Sequence, residues 1–246
     1  MDIEIFKMEL GKLGVLFTPD MLNKLEKYYN LLVVWNEKMN LTAITEKKDV
    51  YLKHFYDSLT ISRIIDLKDI VSLCDIGTGA GFPGIVLKIF FPHIHLTLVD
   101  SLLKRVKFLD VVIKELNLEN VWTVHMRAEE YATFNRERFD LVTARAVSSL
   151  NILLEYSIPI VKRGKYFVAM RGMNDLYNGE RAIKTLNCNL VKLDEFTLPI
   201  QKSRRTLMLF QKNKKTDLKY PRKNSIIKKH PLWCFFFFVI SNYITY

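Results

Sequence analysis

Between Leu73 and Gly84 the chain reads Leu-Cys-Asp-Ile-Gly-Thr-Gly-Ala-Gly-Phe-Pro-Gly. Glycines at Gly77, Gly79, Gly81 and Gly84 let a backbone turn tightly and approach a ligand closely. Two ligand chemistries fit this spacing. Gly79-x-Gly81-x-x-Gly84 satisfies the dinucleotide fingerprint, in which a pyrophosphate rests on a helix N-terminus. Asp75-x-Gly77-x-Gly79-x-Gly81 has the acidic-then-glycine form that serves S-adenosylmethionine. A carboxylate at Asp75 would pair with the ammonium of a methionine moiety and repel a pyrophosphate. Pro83 removes one of the N–H groups a phosphate would use. Asp100, about 20 residues on, stands where an acid accepts the ribose hydroxyls of either ligand. A glycine turn that only packs helix on strand is the remaining reading.

Further candidates stand near the ends of later apolar runs. Ala128-Glu129 is placed to border an adenine ring, or else forms an ordinary helix start with acids at the positive end of the dipole. Arg145, in Thr143-Ala144-Arg145-Ala146, falls where a substrate would meet the ligand, or is a surface arginine. His54 and Asp57, three apart, share a helix face and read from spacing alone as a satisfied surface pair. The chain has no [DN]-P-P-[YFW] segment, Pro-Cys nucleophile, Ser-His-Asp arrangement, HExxH or Walker A loop. An acceptor that is nucleophilic as it stands is expected.

The elements that must position these residues follow from periodicity. Met1 to Leu10 alternates charged and apolar residues in a helical manner. From Thr18 to Asn40 apolar residues at Leu22, Leu25, Tyr29, Leu32 and Trp35 predict an amphipathic helix, with Thr18 as N-cap and Pro19 at the first position. A second helix is predicted after Thr45, through Tyr51, Phe55, Leu59 and Ile64. Beyond Asp69 short apolar runs take over, at Ile70–Ile76, Leu96–Val99, Val121–His125, Phe139–Thr143, Lys165–Met170, Leu190–Leu193 and Thr206–Gln211. Helix-like stretches at Gly84–Phe91, Leu102–Leu116, near Glu129 and at Ser148–Val161 separate the first five. Alternation of this kind predicts parallel βαβ units in a doubly wound α/β sheet, with the last two strands as an antiparallel edge hairpin.

Composition sets the limits. With 246 residues, 49% of them hydrophobic, and only three scattered cysteines, Cys74, Cys188 and Cys234, the chain reads as a soluble globular protein of a reducing compartment. The cysteines suggest neither a zinc site nor a disulfide framework. The net charge of +11 is concentrated late: Gln201 to His230 hold eleven Lys/Arg and one acid, Asp217. A basic tail of that kind either binds a polyanion through counterion release or simply solvates the end. Leu232 to Ile240 is wholly apolar but far short of the ~20 residues that span a bilayer, so Leu232 to Tyr246 reads as an appended apolar extension.

At these residues the chain resembles the RsmG (GidB) family, the guanine-N7 methyltransferases of bacterial 16S ribosomal RNA. The resemblance rests on Trp35-Asn36 with Asn40-Leu41-Thr42, on His54-Phe55-Tyr56-Asp57-Ser58, on the glycine segment, on Asp100-Ser101 with Lys104-Arg105, and on Ala128-Glu129 and Arg145-Ala146. Tyr220-Pro221-Arg222-Lys223 joins them, and the apolar end departs from the family pattern. The resemblance implies a Rossmann-like class I S-adenosylmethionine-dependent methyltransferase with a mainly parallel seven-stranded sheet. Its expected parts are an N-terminal helical cap over 1–66, the methyltransferase core over 67–213 and a basic tail over 214–246. Gly77, Phe82, Ala128, Glu129 and Arg145 are implied to line the S-adenosylmethionine site, and strand-end reasoning adds Asp75, Gly79 and Asp100. His54, Asp57 and Arg145 are implied on the RNA side, with the catalytic roles. The implied partner is 16S rRNA or the small ribosomal subunit, for a cytoplasmic monomer without metal or membrane. Two other classes stay open from the residues alone: an NAD-binding Rossmann oxidoreductase and a noncatalytic RNA-binding assembly factor.

Overall fold

The cap is built first. In the computed structural model, which describes residues 1–232, α1 (Ile3–Lys12) and α2 (Pro19–Met39) precede the sheet. Thr18 caps α2 by accepting a hydrogen bond from Met21 N at 3.3 Å, and Asn40 ends it in the left-handed region. The next helical stretch is not uniform. It comprises α3 (Lys47–Val50), a π-helical turn (Tyr51–Tyr56), α4 (Asp57–Leu59) and a 3₁₀ turn (Thr60–Arg63). Such π turns recur at functional sites.

Seven strands follow: β1 (Ser72–Ile76), β2 (His95–Asp100), β3 (Val121–His125), β4 (Phe139–Arg145), β5 (Val161–Arg171), β6 (Cys188–Thr197) and β7 (Arg204–Lys212). Their order is β3-β2-β1-β4-β5-β7-β6. β1 to β5 run parallel, while β7 pairs antiparallel with both β5 and β6. The hairpin expected at the edge is thus present, but β7 lies inside the sheet and only β6 is the edge. Helices α5 (Gly84–Phe90), α6 (Leu103–Glu115), α7 (Ala128–Phe134) and α8 (Leu150–Ser157) cross between the parallel strands. The helix predicted to reach Val161 stops at Ser157, where a 3₁₀ turn carrying Pro159 breaks it and lets β5 begin early. A short helix not foreseen, α9 (Glu180–Thr185), precedes β6.

Strand residues alternate between two cores. Leu73, Leu141 and Val168 pack with the cap, α5 and α6, while their neighbours Cys74, Val142 and Phe167 pack with α7, α8 and α9. The cap therefore shares one continuous core with the sheet. Beyond β7 the basic region departs from the expected tail. Arg222 is paired with Glu155 and a further helix, α10 (Asn224–Lys229), forms, while Lys212, the last residue of β7, is fully buried. The apolar run after Leu232 lies outside the described residues. Among those described, no helix is long and apolar enough to cross a membrane.

Candidate active site

The C-terminal ends of β1 to β4 open onto one cleft of about 450 Å³, in the size range of small-molecule sites and at the sheet's switch point. Its floor is the glycine loop. Gly77 and Gly79 have φ of 65° and 62°, a region that glycine enters without strain. A Cβ on Gly77 would lie 2.7 Å from Val147 Cγ2, whereas one on Gly79 would meet nothing within 4 Å. Gly77 N and Thr78 N donate to the Val99 carbonyl at 2.8 and 3.1 Å, which ties the loop to β2. From the cap, the Tyr28 hydroxyl donates to the Ala80 carbonyl, and its ring stacks on Phe82 at 5.3 Å.

Asp75 does not face this cleft, which corrects its expected contact with a ligand ammonium group. Its carboxylate is fully buried behind the loop. It accepts from Thr78 Oγ1 at 2.6 Å, Gly84 N at 3.0 Å and Thr143 Oγ1 at 3.2 Å. Burial pushes its pKa up to about 6, against the pull of these hydrogen bonds. Asp75 acts as a clamp on the turn.

Asp100 closes β2 and lines the cleft. It accepts from Gly79 N at 2.9 Å, Leu102 N at 2.9 Å and Arg105 Nη1 at 3.2 Å. A carboxylate offers about four acceptor positions, so about one is left over. Ala128 and Glu129 start α7 just beyond β3, the strand next to β2. Glu129 is 6% exposed, and its carboxylate has no hydrogen-bond or ion-pair partner among the described residues. Its oxygens open onto the cleft, where a ligand can donate to them.

The third wall is a polar knot. Arg145, ending β4, donates from Nη1 to the Lys53 carbonyl at 3.1 Å and to Asp57 Oδ2 at 3.4 Å, and its guanidinium lies 5.2 Å from the Phe82 ring centre. Asp57 Oδ1 accepts from Arg205 Nε of β7 at 2.9 Å, so one buried carboxylate bridges two arginines. Burial nevertheless raises its pKa, with Arg145 and Arg205 pulling it back. His54 lies 4.4 Å from Phe82, nearly parallel to it, with Nε2 3.0 Å from Thr42 Oγ1 and Nδ1 3.1 Å from the Lys53 carbonyl. Burial and then the Arg145 charge hold its imidazole down to about 3, so it is neutral at ordinary pH. The surface pair expected of His54 and Asp57 is instead an internal one, and only His54 reaches the cleft.

Gly77, Gly79, Phe82, Asp100, Ala128, Glu129 and Arg145 therefore share one cleft, with Asp75 and Asp57 behind its walls. Tyr156 and Asn224 also line it and carry no sequence signal; Lys228 belongs to the basic run and Thr42 to a recognised segment, neither with a role at the cleft. No three His, Cys, Asp or Glu among the described residues are grouped to hold a metal ion.

A mixed sheet of this order, with a glycine loop after β1 and an acid closing β2, is the Rossmann-like fold of class I methyltransferases. The StiE O-MT structure matches it with a TM-score of 0.54 at 13% identity, over 77% of this chain and 83% of that one. The [4+2]-cyclase SpnF matches with a TM-score of 0.50 at 12% identity, over 64% and 81%. Since one of these is a cyclase, the fold by itself leaves the reaction open. Sequence closes it. The family model for GidB, rRNA small subunit methyltransferase G, matches residues 21–208. Proteins named ribosomal RNA small subunit methyltransferase G from Bacillus velezensis and Bacillus subtilis are 47% and 46% identical over 237 residues, 94% of this chain and 99% of theirs. The chain belongs to this GidB family of small-subunit rRNA methyltransferases. It is a methyltransferase enzyme, and the oxidoreductase and noncatalytic readings have no support.

Proposed function

We propose that this enzyme uses S-adenosylmethionine to methylate N7 of a guanosine in 16S rRNA. The observation that carries the cofactor is the unpartnered Glu129 carboxylate lining one cleft with the glycine loop and Asp100. An adenosine with a methionine tail supplies what each wall lacks: an amino donor for Glu129, hydroxyls for the remaining Asp100 position, and a slender chain for the space beside Gly79. When bound, the cofactor supplies an electrophilic methyl group on a sulfonium.

The chain's own residues then have a positioning task. Guanine N7 bears a lone pair and no proton, so no general base is required. Neutral His54, held by Thr42 and Lys53, is suited to fixing a surface rather than moving a proton. Arg145, its guanidinium held over Phe82, lines the cleft where it would align a splayed base. Much of the basic region between Lys202 and Lys229 is engaged internally: Arg205, Lys212 and Arg222 have protein partners. Its outward lysines other than Lys228, which lines the cleft, are left to meet rRNA phosphates, with an affinity that falls as salt rises. Cys74 and Cys188, both buried and unpaired, suit the cytoplasm.

The test is to incubate the protein with radiolabelled S-adenosylmethionine and small-subunit particles from cells lacking the endogenous activity, then map the label. One labelled guanine, cleavable by N7-specific chemistry, is expected. Unlabelled 16S rRNA, or label on another atom, overturns the assignment.

A further inference from the structure

Beyond residue 208, where the family match ends, the chain folds back across the cleft and is held there at two points. The Arg136 guanidinium donates to the carbonyls of Thr216, Asp217 and Tyr220. Glu155, fully buried on α8, receives Arg222 through its backbone N at 2.9 Å, Nε at 2.8 Å and Nη2 at 2.7 Å. Ile227 is fully buried beneath α10. The helix is therefore docked, and Asn224 and Lys228, one turn apart on a shared face, both line the cleft.

Their chemistry complements that of Glu129, which starts α7 beside the helix that carries Tyr156. Asn224 Oδ1 accepts from the Tyr156 hydroxyl at 3.0 Å, which leaves the amide Nδ2 donors without a partner. Lys228 makes no hydrogen bond or ion pair among the described residues. The Asn224 amide and the Lys228 ammonium thus have donors to spare, while Glu129 offers acceptors only. A purine with an exocyclic amino group beside ring-nitrogen acceptors satisfies both at once. We infer that Asn224 and Lys228 bind the adenosine end of the cofactor, so that the C-terminal helix completes the cofactor pocket. The inference rests on the S-adenosylmethionine reading above.

Calorimetry with S-adenosylhomocysteine on the full-length protein tests it. Asn224→Asp keeps the oxygen that Tyr156 uses and removes the donors, and should weaken binding about tenfold. Lys228→Gln should weaken it about threefold, at the lower end for one hydrogen bond. Ser225→Ala, on the exposed face of α10, should leave affinity unchanged. In all three, the KM for rRNA at saturating S-adenosylmethionine should stay at the wild-type value. Undiminished S-adenosylhomocysteine affinity in both Asn224→Asp and Lys228→Gln overturns the inference. So does a raised rRNA KM with affinity intact, which would make α10 a nucleic-acid contact. If Asn224→Asp fails to fold, Lys228→Gln alone decides. Failure of the wild type to bind S-adenosylhomocysteine is a different result, and it brings down the cofactor reading itself.

Discussion

Two walls of the same cleft treat their charged groups in opposite ways. On the cap side Arg145, Asp57 and His54 are satisfied by Lys53, Arg205 and Thr42, so that wall is complete without a ligand. On α7, Glu129 turns its carboxylate to the same cleft and has no partner among the described residues. A closed hydrogen-bond network confers rigidity, whereas an acceptor left open to the cleft marks a place where a ligand can donate. The contrast separates residues that shape the site from residues that await something in it, although all are polar and inward.

The comparison can be broken most severely at the floor both walls share. Gly77→Val places a branched side chain at φ 65° against Val147, and S-adenosylhomocysteine binding should fall about a hundredfold or more by calorimetry. Retained binding would show that the floor is not where the walls meet the ligand. On the completed wall, Asp57→Asn leaves two arginines without their shared anion and should cost about 3 kcal/mol in urea denaturation. On the open wall, Glu129→Gln should weaken S-adenosylhomocysteine about tenfold while the thermal midpoint holds or rises, because no internal partner is lost. A drop in stability there would mean that Glu129 is scaffold after all.

The smallest effects sharpen the comparison through pH. The folded pKa of Asp75, about 6, lies above its ordinary value of 3.8, so the native state holds the proton more tightly than the unfolded chain. Its contribution is full below that ordinary value and is lost as pH rises through about 6. The stability difference between wild type and Asp75→Asn should therefore shrink over that window. His54 has the opposite sign: its folded pKa of about 3 lies below the ordinary 6.5, so its contribution is present above 6.5 and lost as pH falls toward 3. Wild type should lose stability relative to His54→Gln on acidification, and methyl transfer should show no His54 inflection near neutral pH.

What was legible in the sequence was whatever chain order dictates. Strand ends in a parallel sheet gather on one side, so the glycine loop, Asp100, Ala128-Glu129 and Arg145 could be brought together from spacing alone. Asp75 was legible as an important acid but not as an inward one, because the direction of its side chain depends on Thr143, 68 residues away. His54 and Asp57 read as a surface pair because an i,i+3 spacing says nothing about the strands that later cover the helix. The internal partners of two arginines in the basic region were hidden for a similar reason. A charge run looks solvated until its counterparts, Glu155 for Arg222 and Asp57 for Arg205, are folded against it.

The Tyr28 hydroxyl joins a helix that contributes nothing to the cleft's lining to the carbonyl of Ala80 on the loop floor. Opening α2 thus requires releasing the loop, and anything that steadies the loop also steadies α2. Amide protons in the middle of that helix should exchange more slowly once the cleft is filled, which makes the first forty residues a remote reporter of occupancy.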